Sequence, residues 1–374
     1  MRRLVATALT ICWFLDGSKA SGSPTDTRWT HFGLRPLGMG NAYVAVADDF
    51  NALFYNPAGL ARLKTWDGEF INPGFEISKN VKNLAEELQD NTKDGGTGVE
   101  GTLDLIERNA GEDQYFGLQL TPHLVFPHFG FGIGLQLDVS AAWHRQISVD
   151  LRVGPDLVAP VAFAMNFLDD RLSIGAAVKF RARLGLDSEF SLDDIEALSG
   201  NDSDAPDDPN KKEIDDYIIA GTGIGGDVGL LFTPIETMKP TIGVSVTDIG
   251  GTSFEKIGAA GNLGSAPQRI LPSVNVGLSA RPYEAGRMYL QTSVDMHSIN
   301  QPYSYSRKLQ LGTEFGYGSL FKAQAGLYQG YLTAGLQLDV GIINLRLVTY
   351  AVEYGKYAGA QENRRYAAQV KLLL

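Results

Sequence analysis

Apolar and polar residues alternate with a period of two along almost the whole chain. Phe129, Phe131, Ile133, Leu135, Leu137 and Val139 share one parity; Gly130, Gly132, Gly134, Gln136 and Asp138 share the other. Leu172, Ile174, Ala176, Val178, Phe180, Ala182 and Leu184 oppose Ser173, Gly175, Lys179, Arg181 and Arg183. Leu332, Ala334, Leu336 and Leu338 likewise oppose Thr333, Gly335, Gln337 and Asp339, and Ile343, Leu345 and Leu347 oppose Asn344 and Arg346. A helix would scatter these apolar residues round its surface, so the period predicts strands. They fall near 66–76, 115–124, 129–143, 147–167, 171–186, 218–232, 240–248, 269–281, 287–295, 307–316, 320–328, 331–340, 342–353 and 364–374, about fourteen in all. In the last of these, Tyr366, Ala368, Val370, Leu372 and Leu374 face opposite to Arg365, Gln369 and Lys371. A bare amphipathic edge strand invites aggregation. A strand with one face to lipid and one to a lumen closes an outer-membrane β-barrel.

The connections carry a second signal. One set is short: 125–128, 168–170, 233–239, 282–286, 317–319 and the turn at Gly341. The alternate set is long: 77–114, the region of 144–146 with its flanks, 187–217, 249–268, 296–306 and 354–363, with Gln329-Gly330 as its tight exception. Short turns on one side and longer loops on the other, with an even strand count, match a bacterial barrel. Aromatics gather at two levels, Phe315, Tyr317 and Phe321 at one and Tyr328, Tyr331, Tyr350, Tyr354 and Tyr366 at the other, as expected of two membrane–water interfaces. In the first long loop, Val81, Leu84, Ala85 and Leu88 have the spacing of an amphipathic helix, and Leu103 and Ile106 begin a second.

Composition fits this picture without announcing it. With 44% hydrophobic residues and mean hydropathy near zero, the chain resembles a soluble one, because half of every barrel strand faces water. No stretch reaches the roughly 18 apolar residues of a spanning helix. Arg2 and Arg3, the apolar run 4–15 and Ser18-Lys19-Ala20 predict a secretory signal peptide over 1–20. It contains the single cysteine, Cys12, so a mature chain would have no thiol chemistry. Formal charge is −11; removing Arg2, Arg3 and Lys19 together with Asp16, a net +2, leaves −13. Twelve acidic residues against Lys211 and Lys212 crowd 187–216, which reads as a solvated loop. Such a balance excludes nucleic acid as a partner.

Residues 21–65 precede the first strand and do not alternate. They contain the run Leu37-Gly38-Met39-Gly40-Asn41-Ala42 continuing to Asp48-Asp49, then Phe54-Tyr55-Asn56-Pro57-Ala58-Gly59. This pattern resembles the N-terminal hatch of the long-chain fatty acid outer-membrane transporter family (FadL-like), whose hatch holds an Asn-Pro-Ala triplet, here Asn56-Pro57-Ala58. It is similar also to the related PorV-type barrels of type IX secretion. The Gly-Met-Gly and Asp-Asp wording is nearer the second group, and the chain ends in Leu rather than an aromatic. The resemblance implies an all-β, transmembrane antiparallel barrel over 66–374 in a Gram-negative-type outer membrane, with 21–65 plugging its lumen. It implies passage of hydrophobic small molecules such as fatty acids past Asp48, Asp49, Phe54, Tyr55, Asn56, Pro57 and Ala58, and release through a gap in the wall. The alternative is service to protein secretion and surface attachment, with secretion-machine proteins as partners.

Elementary chemistry gives these residues roles. Small residues allow a plug into a narrow lumen, and inward Gly130, Gly132 and Gly134 leave room for it. Lys179, Arg181, Arg183, Gln337 and Arg346 face the lumen by parity, and the arginines are candidate partners for Asp48 and Asp49. Proline cannot donate to a strand ladder, so Asn72-Pro73-Gly74 and Gly154-Pro155 mark where the wall can open or merely bend. An apolar pocket beside Phe54 and Tyr55 is expected of a carrier; a polar, packed interior is not.

No catalytic constellation emerges. Gly221-Thr222-Gly223-Ile224-Gly225-Gly226 satisfies G-x-G-x-x-G, but Val228, Leu230 and Phe232 continue a strand where a dinucleotide site needs a helix. His31, His123, His128, His144 and His297 lack zinc-motif spacing. Asp202, Ser203, Asp204, Asp207 and Asp208 lack the pattern of a calcium loop. Neither an enzyme nor a cofactor nor a metal is expected.

Overall fold

The computed structural model describes residues 33–81, 107–144, 148–191, 194, 217–257, 265–341, 343–355 and 357–372. The expected leader, the helices of the first long loop beyond Val81 and most of the acidic segment lie outside the described residues. Fourteen antiparallel strands close into a barrel, several of them broken into two pieces. These are β1a (Asp67–Glu69) and β1b (Gly74–Ser78), β2a (Asp113–Leu120) and β2b (His123–Phe126), β3a (Phe129–Gly132) and β3b (Gly134–His144), β4 (Ser148–Phe167), β5 (Leu172–Ser191), β6 (Ile218–Phe232), β7a (Thr241–Thr247) and β7b (Phe254–Lys256). The circuit continues with β8 (Ser273–Ala285), β9 (Met288–Met296), β10 (Leu309–Tyr317), β11 (Phe321–Tyr328), β12 (Tyr331–Asp339), β13 (Ile343–Glu353) and β14 (Glu362–Leu372). β14 closes the cylinder on β1b, with Arg365 opposite Ser78 and Gln369 opposite Gly74. Closure removes the exposed edge that an open sheet would present.

The alternation sorts the side chains as lipid requires. Phe129, Phe131, Ile133, Leu135 and Leu137 are exposed on the outer face, as are Val161, Phe163, Ile174, Val178, Ile224, Leu278, Leu311 and Leu336. Their neighbours of opposite parity are buried toward the lumen, among them Lys179, Asp227, Asn275, Ser293, Glu314, Thr333 and Gln369. Apolar outside and polar inside inverts a soluble core and is the pattern of a membrane barrel. Among the described residues no helix is long and apolar enough to cross a membrane.

Three details depart from the sequence expectation. The β3b–β4 ladder runs to His144 opposite Ser148, so that connection is tight rather than long. Tyr328 and Tyr350 point into the lumen, fully buried, instead of joining an outer aromatic level. They fall on the inward parity of β11 and β13, and the Tyr350 hydroxyl donates to Glu76. At Gly154-Pro155 the register of β4 on β5 is the same on both sides, Val153 opposite Leu186 and Asp156 opposite Arg183. A Cβ at Gly154 would meet the Leu184–Gly185 backbone. The glycine there permits a close approach of the strands, and the wall does not part.

Candidate functional site: the plugged lumen and the break in its wall

Residues 33–63 lie inside the barrel as two short helices, α1 (Leu34–Gly38) and α2 (Ala52–Tyr55), and a 3-10 turn over Pro57–Arg62, joined by irregular chain. Irregular backbone at membrane depth needs hydrogen-bond partners, and inward polar side chains of the wall supply them. The Val44 amide donates to Asp295 (2.6 Å) and the Gly40 amide to Thr333 Oγ1 (3.0 Å). Ser293 donates to the Ala42 carbonyl (2.6 Å) and Ser279 to the Ala45 carbonyl (3.0 Å).

The wall makes room with glycine. A Cβ at Gly243 would stand 2.6 Å from the Val44 carbonyl oxygen and 2.7 Å from Ala45 Cα; Gly277, Gly312, Gly326 and Gly335 meet plug backbone in the same way. Each belongs to a different strand, so the glycines form a girdle on which the plug backbone rests. Gly130 and Gly132 leave space for the Leu53 side chain.

Asn56-Pro57-Ala58 works as a tie. The Asn56 amide donates to the Val44 carbonyl (2.9 Å) and more weakly to Leu230 and Val244 of the wall, while its oxygen accepts from the Ala58 amide (3.2 Å). Gly175 and Gly229 face this turn, where any side chain would collide with Pro57 or Asn56. Tyr55 is buried and donates to Asn41 (2.6 Å), and Phe54 packs against the plug's hydrophobic cluster.

Asp48 and Asp49 do not reach Arg181, Arg183 or Arg346, which the sequence had offered as partners. They meet Arg35 of the plug itself, at 2.6 and 2.9 Å. Arg35 also grips Glu314 of β10 through two bonds of 2.8 Å and donates to the Tyr43 hydroxyl (2.6 Å). Burial pushes the Asp48 carboxyl up, but the Arg35 guanidinium more than offsets this and holds it below the ordinary carboxylate value. Burial and the neighbouring carboxylates push the Tyr43 phenol up, against Arg35, so it stays a neutral donor. The lumenal arginines pair elsewhere: Arg181 and Lys179 with Asp248, Arg183 with Asp156, Arg346 with Glu69. Gln337 lines a cavity of about 180 Å³ at the short-turn end. That cavity is lined mainly by charge, including Arg35, Asp49, Glu69, Lys322, Arg346 and Lys371, with Leu34 and Phe50 its apolar members. Among the described residues, Tyr55 is buried and Phe54 packs against the plug's hydrophobic cluster.

The β1–β2 ladder is interrupted over 70–73, just before Gly74. β1b pairs with β2a and β1a with β2b, but the register slips by one residue between the two ladders, and 70–73 pair with neither. The break sits beside a matching one in the next hairpin, where Thr121-Pro122 lie opposite Ile133 and a single bond, Ile133 amide to Pro122 carbonyl (2.8 Å), holds the strands. The Asn72 side chain bridges the gap like a missing peptide: its oxygen accepts from the Thr121 amide (2.7 Å) and its nitrogen donates to the Thr121 carbonyl (2.8 Å). Trp66, Phe70 and Ile71 beside it are exposed. The sequence marks Asn72-Pro73-Gly74 but gives Asn72 no bridging role, and it does not single out Arg35, Glu69 or Glu314. An inward-parity Glu between glycines, Gly312-Thr313-Glu314-Phe315-Gly316, was the available signal for the last.

No family model matches the sequence and no curated protein matches it. Solved structures do. The chain is similar to a monoaromatic hydrocarbon channel, CymD, at 13% identity with TM-score 0.51, covering 94% of this chain and 98% of that one. It is similar to the Ralstonia pickettii toluene transporter TbuX at 14% identity with TM-score 0.50, covering 91% and 97%. A Pseudomonas aeruginosa FadL homologue follows at 12% identity with TM-score 0.47, covering 90% and 97%. What this chain shares with CymD and TbuX, over nearly the full length of both, is the fold of a closed β-barrel.

Proposed function

We propose that the protein is an outer-membrane barrel that admits hydrophobic small molecules and releases them sideways through its wall. The observation that carries this reading is the interrupted ladder between β1 and β2, sealed by one side chain, in a cylinder whose outer face is apolar on either side of it. A greasy solute gains about 25 cal/mol for each Å² it moves from water into lipid, so a lateral exit suits it better than a polar channel. Trp66, Phe70 and Ile71, exposed beside the interruption, give such a solute an apolar surface to leave across. Two barrels of this fold are named for monoaromatic hydrocarbon and toluene, which makes small aromatics the first ligands to try, ahead of long-chain fatty acids.

The test is uptake of labelled toluene and labelled oleate by Gram-negative host cells making the protein, against cells with the empty vector. Expression is expected to raise uptake of at least one of them, and Asn72→Ala to raise it further by removing the seal. Uptake equal to the empty vector in both strains refutes the reading.

The polar lining of the cavity favours a second reading, a barrel that serves protein secretion through its loops. Normal hydrocarbon uptake but loss of surface-attached proteins on gene deletion would select it.

A further inference from the structure

Strand β1a begins with two carboxylates of one parity, Asp67 and Glu69, and its ladder sets Glu69 opposite His123 of β2b. The carboxylate oxygens and the imidazole Nε2 lie within 4.8 Å of one another. The histidine is prepared as a ligand. Its Nδ1 lies 2.9 Å from the Thr121 carbonyl, which can only accept, so that nitrogen carries a proton and Nε2 is the atom left to face the acids. Nε2 is buried, has no hydrogen-bond partner and points at the two acids; Asp67 Oδ2, at 3.8 Å, is too distant to bond. Phe50 stacks on the ring at 3.9 Å and fixes its plane. A backbone carbonyl holding the far nitrogen of an imidazole is the usual outer shell of a metal-bound histidine.

We propose that Asp67, Glu69 and His123 form a divalent transition-metal site, suited to Zn²⁺, at the short-turn mouth of the barrel. One imidazole and two carboxylates match such an ion better than Mg²⁺ or Ca²⁺, which favour oxygen alone. Zinc bonds near 2.1 Å place ligand atoms about 3.3 Å apart. The site therefore contracts on binding, and Asp67, whose side chain is 43% exposed, is free to swing inward. The ion has access, because both acids line the open cavity.

Lys371 is the competitor. Its ammonium stands 3.1 Å from Glu69 and 3.5 Å from Asp67, and Arg346 stands 2.7 Å from Glu69, so the two acids are already balanced. A dication enters as the lysine leaves and takes the Glu69 oxygen to which Asn72 now donates (2.9 Å), while Arg346 keeps the other. Bound metal would then tie the start of strand 1 to strand 2 directly beside the interrupted ladder.

The experiment is titration of the detergent-solubilised, chelator-stripped full chain with Zn²⁺ against a competing zinc fluorophore. One Zn²⁺ per chain is expected. Asp67→Asn, at an exposed position that does not threaten folding, should weaken binding about tenfold or more, and His123→Gln should abolish it. Lys371→Met should tighten it about tenfold, since a nearby positive charge is removed; a merely structural cluster predicts no such gain. Absence of binding, equal binding by Asp67→Asn, or affinity that Lys371→Met leaves unchanged or lowers overturns the proposal. Zinc binding and hydrocarbon uptake fail independently, so neither result decides the other.

Discussion

Replacing Arg35 by Met should loosen the plug without opening the wall. The guanidinium is 6% exposed on its side chain and holds Glu314, which is wholly buried, through a bidentate pair of 2.8 Å bonds. Methionine fills much of the volume but removes that carboxylate's bidentate partner and leaves Asp48 with only the more distant Arg281 (3.7 Å) and Asp49 without its ion pair. Gln324 and Tyr289 still donate to Glu314, at 3.0 and 2.8 Å, yet neither carries charge. Breaking one side of a buried ion pair costs about 3–5 kcal/mol. Divided by 1.4 kcal/mol per decade, that is a rise of roughly a hundredfold to a few thousandfold in the population with the plug unseated. Hydrogen exchange reads this most directly at the Val44 amide, which bonds Asp295 of the wall, and next at the Gly40 amide, which bonds Thr333 of the wall and the Leu37 carbonyl of the plug. Their exchange should accelerate by that factor while amides of the β4–β5 ladder stay protected. Adding Glu314→Gln should restore most of the protection, because the cost lies in the abandoned charge rather than in a lost contact. Exchange in Arg35→Met within tenfold of the parent, or no recovery in the double variant, refutes the assignment of Arg35 as the plug's electrostatic anchor.

Other outcomes follow from the same geometry. Gly243→Ala sets a methyl 2.6 Å from the Val44 carbonyl and 2.9 Å from the Ala45 amide nitrogen, so it should unseat the plug while leaving the β7a–β8 ladder intact; overpacking of this kind costs about 1–3 kcal/mol, read by the same amides. Acid should act late: the Asp48 carboxyl is held below its ordinary 3.8, so its contribution is complete above that pH and is lost only as pH falls through the lower folded value. Plug protection should therefore hold from pH 7 to 4 and collapse beneath, and in Arg35→Met that acid step should vanish. Leu336→Arg places a charge on the lipid face of β12 and should cost about 2 kcal/mol or more in a bilayer-refolding titration.

Period-two alternation made the wall legible. Strand identity, strand number and the inward face of Lys179, Arg181, Gln337 and Arg346 all follow from parity, because lipid on one side and water on the other give every second residue the same task. The plug was legible as the segment where that alternation is missing, and its glycine seats as inward positions with no side chain. Pairing was not legible. Parity places Asp48, Arg181 and Arg346 in one lumen but says nothing of height along the axis or angle around it, and a lumen offers a carboxylate many cations. Arg35 is the partner that lies thirteen residues from Asp48 on the same folded plug. His123 was hidden for the opposite reason. Its neighbours Asp67 and Glu69 lie more than fifty residues away in sequence, brought to it by a strand register that slips by one beside Asn72. That slip is also what breaks the wall. The feature that the proline signalled in the sequence thus creates both the gap that Asn72 fills and the cluster of acids and imidazole next to it, and a substitution that restored a continuous ladder through 70–73 should abolish the two together.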